Sequence, residues 1–348
     1  MLPFKNSPSP ESLNSTTTSR KSDHLEICIQ KNVESQVSAG WDEIILPYRS
    51  LPEISFDAIS LKTEFLKFNF DYPFLISSMT GGTPEADNLN LILAEFATEY
   101  NIPMGLGSMR FLLEKKSTSP NAINNLRKKS PRAHLWANIG AVQLNYGVTP
   151  SDCQWLVDQL EAQALIVHLN PLQEAIQAEG DRNFSGLWKK LDGLRKQIKT
   201  PLILKETGCG LDPVTAKRAV ETGFDALDTA GLGGTHWGFI EGLRSSDREA
   251  LGLTFRNFGI PSAECLRQVR KAVGPDFPVI ASGGLRSGID CAKAFLLGAN
   301  FCGLALPFLK AAKKGPENLR QEMSILIESL RIACFVTGSP LPKELNAV

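Results

Sequence analysis

From His168 to Asp181 the chain reads His-Leu-Asn-Pro-Leu-Gln-Glu-Ala-Ile-Gln-Ala-Glu-Gly-Asp, which sets a histidine, amides and carboxylates directly behind an apolar run. His168 is of the type that exchanges a proton near neutral pH, although a histidine closing an apolar strand also serves simply as a satisfied core residue. Glu174 has the chemistry of a ligand for a hard cation such as Mg²⁺, which takes one or two carboxylates together with a substrate's phosphates; a solvated glutamate at a helix start is the plain alternative.

A second group points to anions. Ser282-Gly-Gly-Leu-Arg-Ser-Gly288 follows an apolar run and opens a helical stretch. Its backbone N–H groups at a helix amino terminus can receive a phosphate, with Arg286 beside them. Gly303-Leu-Ala-Leu306 offers further amides. Gly105 with Gly107, and Gly231 with Gly233, each lack the third glycine of a dinucleotide fingerprint, so a bound mononucleotide is the better reading. Lys205 ends another apolar run, where its ammonium can stabilise negative charge on a ring such as reduced flavin; pairing with Glu206 is its structural alternative. Thr80, Ser108 and Asn138 supply short hydrogen-bonding groups at comparable positions.

These residues need a frame that brings them together. From Tyr72 onward, short apolar runs alternate with longer amphipathic stretches, the pattern of parallel strands joined by crossover helices. Eight strands are expected, at 73–78, 103–108, 135–139, 164–169, 201–206, 226–230, 278–282 and 301–306, with helices at 87–100, 151–163, 213–222, 262–273 and 287–297 among those between them. An open doubly wound sheet would concentrate its polar groups at one switch point. Here nearly every strand ends in a small or polar motif, which is the arrangement of an α/β (β/α)8 TIM barrel. Residues 20–72 form an extension before the barrel, and 231–261 make the longest connection, with Glu241, Arg244, Arg248 and Arg256; it reads as an active-site lid or a subunit contact.

Composition narrows the class. Lys plus Arg equals Asp plus Glu at 37 each, so no global field favours nucleic acid or an anionic membrane. No apolar run is long enough to span a bilayer. The seven cysteines form no C-x-x-C pair, as expected of reduced thiols in a cytoplasmic enzyme. Residues 1–19 are rich in Ser, Thr, Pro and Asn without a signal-like apolar core, and read as a disordered tail ahead of a single domain at 20–348.

Several motifs then occur in a familiar order: Arg20-Lys-Ser-Asp-His24, Ser78-Met-Thr-Gly-Gly82, Gly107-Ser-Met-Arg110, Ala137-Asn-Ile-Gly-Ala-Val-Gln-Leu144, His168 to Asp181, Lys205-Glu-Thr-Gly208, Gly233-Gly-Thr235 and Ser282-Gly-Gly284. From about 20 to about 340 the chain resembles the type II isopentenyl-diphosphate isomerases. The resemblance implies FMN held reduced by NADPH, Mg²⁺, a small diphosphate substrate and a homo-oligomer, tetramer or octamer. Carried onto this chain, Ser78, Met79, Thr80, Ser108, Asn138, Lys205, Thr235, Gly283, Gly284, Arg286, Ala305 and Leu306 resemble the flavin contacts. Arg20, Lys21, His24, Ser108, Arg110 and Gln173 resemble substrate contacts, and Glu174 the metal ligand. Gln173, His168, Glu241 and Trp237 match positions near the reacting carbons, with Glu241 offered to a neighbouring subunit. Gln173 is placed to relay a proton, which a neutral amide does only between neighbours. Three positions depart from the family pattern: Met109 for Gln, Ala178 for Pro and His236 for Ser. The competing class is an FMN-dependent 2-hydroxy-acid oxidase or dehydrogenase, which needs a histidine base with an adjacent arginine after the lysine strand; His236-Trp lacks that arginine. A barrel that binds flavin or diphosphate without catalysis is a third reading.

Overall fold

The computed structural model describes residues 10–79, 81–114 and 121–347. Eight parallel strands close into a barrel: β3 (Phe74–Ile76), β4 (Met104–Gly105), β5 (Leu135–Gly140), β6 (Ala164–Leu169), β7 (Leu202–Glu206), β8 (Ala226–Asp228), β9 (Val279–Ser282) and β10 (Phe301–Leu304), with β10 paired to β3. Ahead of them an antiparallel hairpin joins β1 (Thr63–Phe65) to β2 (Phe68–Phe70). Register and alternation explain how the barrel separates a floor from a mouth. Side chains of register partners share a face, and successive residues alternate between faces. The inward residues Leu75, Trp136, Ile166, Ile203, Ala226, Ile280 and Phe301 form one apolar cluster. Two positions farther along the same strands stand Ser77, Asn138, His168, Lys205, Asp228, Ser282 and Gly303. Each of these seven strands therefore carries an apolar residue low and a polar or small one high, as the layered interior of this fold requires.

Phe65 and Phe70 of the hairpin cap the floor, with the Phe65 ring 4.9 Å from that of Phe301 and Phe70 5.6 Å from it. The outward residues, such as Ile76, Leu165, Leu204 and Val279, pack under the helices as the larger core. Helices Pro213–Thr222 and Ser262–Val273 lie where the sequence predicts them. Among the described residues no helix is long and apolar enough to cross a membrane.

Two regions differ from expectation. The first helix spans Pro10–Gln30, so regular backbone begins inside the segment read as a tail, while residues 1–9 lie outside those described. The long connection 231–261 is mostly helical, Trp237–Leu243 and Ser246–Phe255, and its helices pack on each other through Gly242 and Gly252; a Cβ on Gly242 would lie 2.6 Å from the Gly252 Cα.

Candidate active site

The carboxyl ends of the strands surround a cavity of about 210 Å³. Arg20, Lys21, His24, Ser78, Met79, Ser108, Arg110, Asn138, His168, Gln173, Glu174, Lys205, Thr235, Trp237, Gly283, Gly284, Arg286, Ala305 and Leu306 all line it. Thr80 lies outside the described residues.

One wall is a backbone cradle. Gly283 and Gly284 have φ of 104° and 67°, in the left-handed region that side chains strain to adopt. A Cβ on Gly284 would lie 2.6 Å from the Ala39 Cβ. The cradle is held from outside by residues 33–41: Trp41 Nε1 donates to the Gly283 carbonyl (3.0 Å), and the His236 amide donates to the Val33 carbonyl (2.9 Å). The helix after β9 is capped by its own Ser287 and Asp290, and Asp290 Oδ2 accepts the amides of Arg286 and Ser287 (both 3.0 Å). Those two amides are therefore held by Asp290 rather than turned to the cavity. By contrast, helix Leu306–Lys314 begins at the cavity without a side-chain cap. Arg286 itself is paired with Glu34 and bonds the Leu285 carbonyl (2.8 Å).

The floor of the cavity is a belt across the strands. His168 Nδ1 lies 2.8 Å from Asn138 Oδ1, and Asn138 Nδ2 donates to the Leu106 carbonyl (2.9 Å). With the amide so oriented, Nδ1 carries the proton and Nε2 keeps a lone pair. Burial, with Lys205 nearby, lowers the His168 pKa to about 4, so the ring is neutral at physiological pH. Lys205 pairs with Asp228 (3.1 Å) and not with its neighbour Glu206. Glu206 instead turns away and accepts the amides of Gly208 and Cys209 (both 2.6 Å) and Gly210 (3.1 Å), shaping the loop after β7.

Above the belt stands a network of amides and charges. Gln173 Nε2 donates to Glu241 Oε1 (2.9 Å), Arg244 donates to Glu241 Oε2 (2.8 Å), and His24 Nε2 lies 2.9 Å from Oε1. Burial opposes ionisation of Glu241, but its contacts with His24, Gln173 and Arg244 prevail and hold it at about 2. Glu241 is therefore a buried anion behind the cavity wall, held by groups of its own chain. Gln177, with its amide turned to suit both neighbours, donates to Glu241 (3.2 Å) and accepts from Arg20 (2.8 Å). Glu174 accepts from Asn170 Nδ2 (2.8 Å) and from the Asp181 amide (2.7 Å); its pKa is raised, chiefly by burial. Gly180 permits that turn, since a Cβ there would lie 1.9 Å from the Glu174 carbonyl oxygen. Arg110 is gripped by Asp181 (2.6 Å), which also accepts from Gln143 (3.0 Å). Lys21 Nζ donates to the Ser108 carbonyl (3.3 Å) and sits 3.9 Å over the Phe111 ring. Trp237 meets His24 edge to face at 5.3 Å.

His236 does not line the cavity. It is fully buried; Nδ1 accepts the Phe239 amide (3.0 Å), leaving Nε2 as the donor toward the Phe258 carbonyl (3.3 Å). Its role is to cap helix Trp237–Leu243. Met109 is buried in the core. Sequence reasoning missed Asp228, Gln143, Gln177 and the Asp181–Arg110 grip. Asp228 carried no signal, whereas Gln143 stands in the Ala137–Leu144 motif, and Gln177 and Asp181 in the His168 stretch.

Comparison with known proteins bears on this arrangement. A family model for FMN-dependent dehydrogenases matches residues 23–347. The isopentenyl-diphosphate delta-isomerase of Rickettsia bellii (strain RML369-C) is 47% identical over 322 residues, covering 92% of this chain and 93% of its own. That of Synechococcus sp. (strain ATCC 27144) is 46% identical over 333 residues, covering 95% of each. Among solved structures, a flavocytochrome b2 mutant with benzoylformate superposes with a TM-score of 0.67 at 20% identity, over 97% of this chain and 83% of that one. A mandelate oxidase mutant with the monooxide FMN adduct gives 0.64 at 16% identity, over 92% and 93%. At those identities the structural likeness is one of fold.

Proposed function

Because the chain belongs to the FMN-dependent dehydrogenase family and, within it, to the isopentenyl-diphosphate delta-isomerases, we propose that it converts isopentenyl diphosphate to dimethylallyl diphosphate, with reduced FMN as resident cofactor, Mg²⁺ accompanying the diphosphate and NADPH as the reductant. The cavity fits the flavin. The Gly283–Gly284 turn and the uncapped start of helix Leu306–Lys314 suit its phosphate. Ser78 Oγ is buried without a partner at the same mouth, and Lys205 offers a cation. Bound there, reduced FMN supplies a proton donor and acceptor together with an electron-rich face for a cation-like carbon. Glu174 suits Mg²⁺, which binds through few carboxylates and its substrate's phosphates.

The chain's own residues divide the remaining work. Arg20, Lys21 and Arg110 gather the diphosphate, each held by protein contacts before substrate arrives, so little ordering is left to do on binding. Trp237 and His24 bound the short prenyl tail. Moving a double bond requires a proton added at one carbon and another removed from its neighbour. Gln173 passes a proton only between neighbours, and its Nε2 donates to the ionised Glu241, which orients the amide. His168, neutral with a free Nε2, accepts hydrogen bonds in the cavity and adds no charge.

The observation that carries isomerisation over oxidation is the contrast between two side chains. The histidine that a 2-hydroxy-acid oxidase would use as base is here His236, whose two ring nitrogens are both engaged away from the cavity. The cavity is instead lined by Gln173, backed by Glu241. The test is anaerobic incubation with FMN, NADPH, Mg²⁺ and isopentenyl diphosphate. Dimethylallyl diphosphate should form with the flavin reduced and NADPH needed only in catalytic amounts. Absence of product, or NADPH consumed in step with substrate, would refute the assignment.

A further inference from the structure

Three adjacent strands place His168, Lys205 and Asp228 at successive register positions, so all three point inward at one level of the barrel. The Lys205 side chain is 10% exposed and that of Asp228 only 1%. Ser282, on the next strand, donates its hydroxyl to Asp228 Oδ1. Among the described residues Asp228 is the one carboxylate within ion-pair distance of Lys205. The other groups facing the pair do not compensate the ammonium: His168 is neutral, Glu206 spends its carboxylate on three amides, and the Cys265 thiol behind Asp228 is pushed up to about 12, chiefly by burial.

We propose that Asp228, braced by Ser282, is the counter-ion that keeps Lys205 charged and fixed at the cavity, and is thus a positioning residue for the cation that meets the flavin. Its purpose rests on the flavin reading above; the ion pair itself does not. A buried ammonium without a partner gives up its proton near neutral pH. With Lys205 paired to Asp228, adding two electrons to bound FMN would take up one proton, on the flavin. In Asp228→Asn, Lys205 is neutral beside oxidised FMN and takes a second proton as the reduced flavin becomes anionic.

Two measurements test this. The first needs no flavin: reductive methylation of the apoprotein at pH 7.5, followed by mass spectrometry of the Lys205 peptide. Modification should be at least ~10-fold faster in Asp228→Asn, since each unit of pKa lost is a tenfold gain in neutral amine; equal rates overturn the proposal. The second is a redox titration of the FMN-loaded proteins, where proton uptake per two electrons should rise from one to two in Asp228→Asn, and the extra proton should be absent in Lys205→Met/Asp228→Asn above the pH at which reduced flavin itself ionises. Parallel pH dependences of native protein and Asp228→Asn overturn it. If Asp228→Asn does not fold, recovery of folding in the double variant supports the pairing, and failure of both counts against it. Native protein that binds no FMN would refute the flavin reading while leaving the methylation result to judge the counter-ion.

Discussion

Replacing Glu241 by glutamine removes one charge at the centre of the site with little change of shape, and its consequences follow from the carboxylate's surroundings. The folded chain lowers this carboxyl from 4.5 to about 2, because the contacts with His24, Gln173 and Arg244 outweigh burial. At about 1.36 kcal/mol per pKa unit, the ionised group contributes ~3 kcal/mol at pH 7. A depressed pKa gives stability that is fully present above the unfolded value and lost as pH falls through the folded one, here between 4.5 and about 2. At pH 3 the same relation leaves about 1 kcal/mol. Glutamine has no such term, and its amide nitrogen would face another donor whichever way it turned. Urea unfolding of both proteins should therefore show a stability gap at pH 7 that narrows by ~2 kcal/mol at pH 3. Turnover of the loaded enzyme should fall on the order of 10²- to 10⁴-fold with a near-constant KM, because Gln173 loses the carboxylate that holds its amide. A gap of equal size at both pH values, or native turnover in the variant, would refute the argument.

Glu174→Gln should raise the Mg²⁺ concentration needed for half-maximal rate while FMN binding stays native; an unchanged Mg²⁺ dependence would remove Glu174 as a ligand. Phe70→Ala, at the barrel floor, should cost about 3–5 kcal/mol in urea unfolding yet leave the FMN dissociation constant unaltered, since the floor and the mouth are separate layers. His236→Ser should keep turnover within a few-fold, serine being a good helix cap. A loss beyond about 10³-fold, the scale of a missing general base, would mark His236 as catalytic and revive the oxidase reading.

What could be read from the sequence was what repeats locally. Ala164–Leu169, Pro213–Thr222 and Ser262–Val273 fall where periodicity placed them. The polar endings of the strands led to the mouth of the barrel because an apolar residue and a polar one two positions later share a face. The hairpin escaped notice for a specific reason. Its turn residues Leu66 and Lys67 both adopt positive φ, 51° and 69°, without the glycine or asparagine that announces such a turn. The first helix inside 231–261 was hidden similarly, since its cap is a histidine rather than Ser, Thr, Asp or Asn.

The electrostatics of the site were hidden by a different cause. Lys205 stands beside Glu206 in the chain, and nearness in sequence suggested that pair. Successive residues of a strand face opposite ways, however, so a lysine aimed into a barrel cannot meet its neighbour there. Its partner has to come from the same level of an adjoining strand, and closure puts Asp228 there. Off the strands, too, Asp181 meets Arg110 and Glu241 meets Gln173: each cation or relay is met by a carboxylate from another part of the chain. Groups prepared in this way carry their compensation with them into the cavity. A ligand arriving there meets charges that are already oriented, and this ordering before the reaction is what makes such groups effective in catalysis.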